Sequence, residues 1–233
     1  MSANFGLECM SDFSPLVGVA APLPESNVDT DIIFPARFLL LLNKVGLGKQ
    51  LFHERRYSRD ATDHPFVLDT APFDKARILV TGRNFGSGSS REQAVWALAD
   101  FGIRCVIAPS FGEIFYSNCF KNGLLPIVLP DATVERVLNA TGAGAPLTID
   151  LEAQQVRLPD GNAIGFDIDP YRRRILLLGL DEIGAIIEED AADVGRFEQQ
   201  QRAAFPWLYL GADKRAYFAD LEAERDAEKL RNE

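Results

Sequence analysis

Ser89, Ser90 and Arg91 stand behind three closely spaced glycines in the run Gly82-Arg-Asn-Phe-Gly-Ser-Gly-Ser-Ser-Arg-Glu92. Arginine brings a full positive charge and a bidentate donor pair that matches a carboxylate or a phosphate. Glycine lets the backbone turn tightly or come close to a ligand. The chemistry these residue types suit is therefore the binding of a small anion, with the two serine hydroxyls at the mouth of the site.

The flanking residues say how the run is held. Ile78, Leu79 and Val80 form a short apolar stretch of strand type before the glycines. Ser89 followed three residues later by Glu92 reads as a capping box, and Ala94, Leu98 and Phe101 then recur at helical spacing. The pattern predicts strand, glycine loop and helix, with the helix starting at the serines. A helix start presents unpaired N–H groups and a partial positive charge, which adds to the anion site. The same Gly-Ser-Ser pattern also serves as a plain helix cap with no ligand.

The rest of the chain reads as an α/β protein. Residues 16–21 suggest a strand ending at Pro22-Leu23-Pro24, and the Asn27-Val-Asp-Thr-Asp31 segment suits a structured turn. Residues 32–42 read as a short strand entering a helix or a loop covering a site, Gly46 and Gly48 close that unit, and the charge-rich 51–63 segment is expected on the surface. Residues 103–108 form a second apolar run one helix after the first, which makes a βαβ unit with parallel strands. A helix over 111–121, a strand over 124–129 and a helix over 132–139 follow. Residues 147–151, 155–158 and 163–168 alternate like a β-meander, with Asp160-Gly161 at a turn. Helices are expected over 171–178, 181–189 and 191–204, before a highly charged end at 214–233.

Composition narrows the function. The 233 residues suffice for one sizeable core, and 47% hydrophobic with 25% charged residues is a globular balance. A net charge of −10 argues against nucleic acid or an anionic membrane as partner, so an anionic substrate needs a local positive site. Cys9, Cys105 and Cys119 are too scattered for a disulfide framework, and Cys105 reads as a buried thiol. His53 and His64 pair with nothing nearby in sequence, so the chain alone is expected to hold no metal. The first residues lack the features of a signal peptide and the longest apolar run, 38–42, is too short to span a bilayer, so the expected location is the cytoplasm.

The signature run, with Val28-Asp-Thr-Asp31, Pro35-Ala-Arg-Phe-Leu39, Trp96-Ala-Leu-Ala-Asp-Phe-Gly102, Ala108-Pro-Ser-Phe111, Asn118-Cys-Phe-Lys-Asn-Gly-Leu-Leu-Pro126 and Asp169-Pro170 in the same order, resembles the aconitase swivel-domain family. Within it, the chain is most similar to the small subunits of 3-isopropylmalate dehydratases. The resemblance covers roughly residues 15–207 and implies an aconitase-like swivelling β/β/α domain over 1–207, with a mixed sheet and C-terminal helices; the charge spacing beyond it reads as a charged C-terminal helical tail over 208–233. It implies a large-subunit partner that carries a [4Fe–4S] cluster, and a small dicarboxylate substrate: 2-isopropylmalate, isomerised to 3-isopropylmalate by dehydration and rehydration in leucine biosynthesis. By the same resemblance Ser89 is the base, Ser90 and Arg91 hold a substrate carboxylate, and Asp31 with Thr30 organises the site. Pro35 to Leu39 takes the place of the loop that selects the substrate's side chain, where Phe38, Leu39 and Leu40 suit an alkyl group.

The chain departs from the family's usual small subunit at three positions. It has Ser87 for cysteine, Gln93 for histidine and Val95 for proline, and Phe34 before Pro35 is also unusual. These leave room for a paralogue acting on 2-methylmalate and citraconate or on 2,3-dimethylmalate. A non-catalytic anion-binding subunit is the reading from another class. Nucleotide binding is excluded, because Arg91 stands where a dinucleotide loop needs its third glycine and no Gly-Lys-Ser/Thr follows.

Overall fold

The computed structural model describes residues 13, 15–41, 43–57, 65–88, 91–180, 182–209 and 211. Ser89, Ser90, Cys9, His64 and all but Gly211 of the stretch after Tyr209 lie outside the described residues. The chain divides into two compact units, residues 1–185 and 186–233.

The first unit is built on a seven-stranded mixed sheet in the order β4-β3-β2-β1-β5-β6-β7. Strand β1 (Leu16–Leu23) is its hinge line. Its second half pairs in parallel with β2 (Ile78–Thr81), from Ala20 against Ile78 to Leu23 against Thr81, and its first half pairs antiparallel with β5 (Pro146–Asp150). Strands β3 (Cys105–Ala108) and β4 (Leu125–Val128) continue the parallel side, and β6 (Gln155–Arg157) and β7 (Ala163–Gly165) continue the antiparallel one. The expected βαβ unit and meander are both present, the latter closed by Asp160, whose Oδ1 accepts from the Asn162 N–H at 2.9 Å.

β2 and β3 are buried at every position, as parallel strands covered on both faces must be. Their alternation sorts the side chains into two cores. Leu79, Val106 and Ala108 join Ala94, Val95, Ala97 and Leu98 of α3 (Glu92–Phe101) and Phe115 and Cys119 of α4 (Glu113–Lys121) on one face. Ile78, Val80, Cys105 and Ile107 meet Val134 and Val137 of α5 (Asp131–Thr141) on the other.

Between β1 and β2 the chain winds over the first core. α1 (Thr30–Ile33) starts at Asp29, whose carboxylate accepts from the Ile32 N–H at 2.8 Å. A 3-10 turn, Ala36–Phe38, follows, so the described residues of 32–42 are the loop alternative and hold no strand. The surface expectation for 51–63 fails at its start: Leu51 and Phe52 are fully buried in the first core, just before α2 (His53–Arg56). The charges that follow gave the segment its polar look, while two apolar side chains anchor it. α6 (Pro170–Leu178) is capped by Asp169, and α7 (Glu182–Ala204) runs unbroken where the sequence suggested two adjoining helices. In the second unit, Arg202 stacks over the Tyr209 ring at 4.9 Å beside the Pro206–Leu208 turn. No helix among the described residues is long and apolar enough to cross a membrane.

Candidate active site

The loops after β1, β2 and β3 lie side by side at the carboxyl ends of the parallel strands, where open α/β sheets place their ligands. Main-chain bonds stitch them. Gly82 N–H donates to Glu25 O (3.0 Å), Asn27 N–H to Arg83 O (2.8 Å), Gly86 N–H to Val28 O (2.7 Å) and Thr30 N–H to Ser87 O (2.9 Å). On the other side Phe85 N–H donates to Ser110 O (3.1 Å) and Gly112 N–H to Phe85 O (2.9 Å). Phe85 is the floor of this loop, packed edge-on against Phe115 at 5.4 Å. Gly86 is required above it: its φ is +71°, and a Cβ there would lie 2.2 Å from Phe115 Cγ.

The loop delivers Arg91 to the start of α3. The helix begins at Glu92, with Arg91 extended (φ −117°, ψ 101°) as its cap residue, so the expected start at the serines is corrected. Glu92 is the first helical residue, and its carboxylate accepts from Trp96 Nε1 (3.3 Å) and Asn122 Nδ2 (2.9 Å); Ser89, the other half of the expected capping box, lies outside the described residues. The Arg91 side chain makes no cap bond to α3, and the first turn of a helix carries a partial positive end that favours an anion.

Arg91 and Asp31 form an ion pair, with the Arg91 side chain 15% exposed and that of Asp31 55% exposed. Arg91 Nη1, the nitrogen that meets Asp31 Oδ1, is buried, and a guanidinium carries five donors, more than this one contact uses. The Arg91 guanidinium against Asp31 holds that carboxyl below the usual aspartate range; partial desolvation opposes this and the Ala36 N–H adds to it. Asp31 thus joins Arg91 to the 35–39 loop and stays ionised at neutral pH. A depressed folded pKa stabilises fully above the ordinary aspartate value of about 4 and is lost as pH falls through the folded one. Asp31→Asn is expected to flatten the acid limb of the stability curve below about pH 4, and urea unfolding of both proteins at pH 7 and at acid pH checks it. An unchanged acid limb removes Asp31 from this role.

Of the expected site residues, Thr30, Asp31 and Arg91 come together. Thr30 is buried under Gly88, with its Oγ1 3.7 Å from where a Gly88 Cβ would stand. Phe38 and Leu39 are half-buried against the first core, Phe38 between Phe34 (6.0 Å) and His53 (4.9 Å), whereas Leu40 is 89% exposed. Arg37 clasps this loop to α2 through Glu54 and through His53 Nδ1 at 2.8 Å. The sequence reading missed Asn122 and Ala36, whose contacts to the site lie far apart in sequence or run through the backbone.

A [4Fe–4S] cluster needs cysteine thiolates. Cys105 and Cys119 are fully buried and burial pushes both thiols up, so they do not fit that role; among the described residues no group of three or more His, Cys, Asp or Glu could hold a metal ion.

The family model of the aconitase C-terminal domain matches residues 10–132, and a second model, LeuD_N, matches residues 135–170. The 3-isopropylmalate dehydratase small subunit of Parvibaculum lavamentivorans is 52% identical over 202 residues, which is 85% of this chain and all of that one. The chain belongs to the family of 3-isopropylmalate dehydratase small subunits. Another small subunit of this name, from Rhodospirillum rubrum, is 52% identical over 85% of this chain and 97% of its own. A crystal structure titled as 3-isopropylmalate dehydratase from Methanocaldococcus jannaschii superposes with a TM-score of 0.60 at 26% identity, over 78% of this chain and 99% of that one. For a small subunit of this family the three departures sit in different settings: Val95 is fully buried in α3, Gln93 is half-buried in the first turn of α3, and Ser87 contributes its carbonyl to Thr30.

Proposed function

We propose that this chain, as a 3-isopropylmalate dehydratase small subunit, supplies the substrate-binding and proton-transfer side of a hydro-lyase that converts 2-isopropylmalate to 3-isopropylmalate in leucine biosynthesis. The observation that carries this reading is the 52% identity over the full length of a relative of that name, together with Arg91 and Asp31 paired at the sheet's carboxyl end. In the reaction a proton and a hydroxide leave adjacent carbons, and water returns with the two positions exchanged. Removing a proton next to a carboxylate builds up negative charge, which Arg91 and the start of α3 stabilise. Ser89 takes that proton, Ser90 and Arg91 hold the carboxylate, Asp31 orients Arg91, and Thr30 ties the first loop beneath them. Phe38 and Leu39 line the alkyl side.

The partner is the large subunit, which would hold the [4Fe–4S] cluster; bound there, the cluster would supply a Lewis acid for the departing hydroxyl. The swivel domain spans residues 1–207, residues 208–233 are an appended tail, and the complex works in the cytoplasm. A second reading, a paralogue acting on 2-methylmalate, is favoured only by Ser87, Gln93 and Val95.

The test is anaerobic turnover by this chain mixed with the isopropylmalate dehydratase large subunit of its own genome, beside each subunit alone and beside 2-methylmalate. Activity only in the mixture and chiefly on isopropylmalate is the expected result. A preference for 2-methylmalate moves the chain to the paralogue, and inactivity with any large subunit leaves an anion-binding role.

A further inference from the structure

Glu92 follows the anion-binding arginine directly, yet its carboxylate turns away to α4. Its Oε1 accepts from Trp96 Nε1, one turn on in α3, at 3.3 Å, and from Asn122 Nδ2 at 2.9 Å. Asn122 is the residue that closes α4; its amide also donates to Asn118 O at 2.9 Å and accepts from Lys44 Nζ at 3.3 Å. Lys44 in turn stands over the Trp96 ring at 4.9 Å. One carboxylate therefore joins the start of α3, the end of α4 and the loop that leads away from residues 35–39. All of its bonds are partly buried, where a hydrogen bond to a charged group is worth more than on the open surface.

We infer that Glu92 is a positioning residue for the proposed reaction, fixing the first turn of α3 and through it the guanidinium of Arg91. Arg91 is the extended cap of that turn and has no cap bond of its own, so a rotation of the helix start carries its side chain with it. Asp31 holds the guanidinium itself. The Glu92 brace holds the backbone that follows it. A displacement of about 1 Å in a positioning group can cost on the order of 100-fold in rate. The inference rests on the reading of Arg91 as a substrate-carboxylate ligand.

The experiment compares Glu92→Ala, Glu92→Gln and Asn122→Ala in the complex with the large subunit. Glu92→Gln keeps an oxygen acceptor at the same place and is expected to recover most of the loss. Glu92→Ala is expected to lower kcat/KM about 10–100-fold with a raised KM for isopropylmalate, and Asn122→Ala to move both in the same direction. A variant that is merely less stable loses amplitude at an unchanged KM, and thermal unfolding of each variant separates that case. Glu92→Ala within twofold of the wild type overturns the inference. An inactive wild-type mixture condemns the proposed reaction instead, and the brace is then judged in the isolated chain. There the Arg91 Nε–H NMR signal, assigned with Arg91→Lys, is expected to shift in Glu92→Ala and to stay in Glu92→Gln. A signal unmoved in both overturns it.

Discussion

Ser89→Ala is expected to lower kcat on isopropylmalate by about 10²–10⁴-fold, the range that one general base contributes. As the proposed base, the serine needs surroundings that make its proton easier to lose, since the nearest carboxylate in sequence, Glu92, accepts from Trp96 and Asn122. Under the proposed mechanism two features would act in that direction: the positive end of α3 and the Arg91 guanidinium, which is largely buried. Alanine keeps the backbone and removes only the oxygen, so KM is expected to move far less than kcat. Arg91→Lys is the companion measurement. It keeps the charge and loses the fork, so it weakens the hold on the carboxylate in ground and transition states alike and is expected to raise KM about tenfold. Full turnover in Ser89→Ala places the proton transfer elsewhere.

Gly86→Ala is expected to destabilise the fold by about 2–5 kcal/mol, lowering the melting temperature by roughly 5–15 °C. Two costs add. A φ of +71° penalises any Cβ, and here the Cβ would lie 2.2 Å from the Phe115 ring, with which Phe85 already makes an edge-on contact. The ring is fully packed in the first core and has no free direction in which to yield. Gly161→Ala isolates the first cost: its φ is +87° but nothing stands within 4 Å, so about 1–2 kcal/mol is expected. Urea unfolding of both variants gives the difference. Equal losses would mean that Phe115 yields and that the loop over it is looser than its bonds to Val28 and Ser110 indicate.

Sequence alone determined the elements whose signal is local: the apolar runs that became β2, β3 and β4, the helices between them, the meander, and the glycine-serine-arginine loop placed between a strand and a helix. Periodicity reports which side of an element is buried, and turn residues report where it ends, so these features need no knowledge of neighbours. The family signature likewise lies in contiguous residues. Only tertiary structure decided what the Glu92 carboxylate holds, because Trp96 Nε1 reaches it across one turn of α3 and Asn122 Nδ2 from the end of α4. The burial of Leu51 and Phe52 ahead of a charged segment, and the joining of Arg91 to Asp31 and Ala36, were settled the same way. Partners 30 or 60 positions apart leave no periodic trace in the chain. They meet because β1, β2 and β3 are parallel neighbours, which brings the loops at their carboxyl ends into hydrogen-bonding distance.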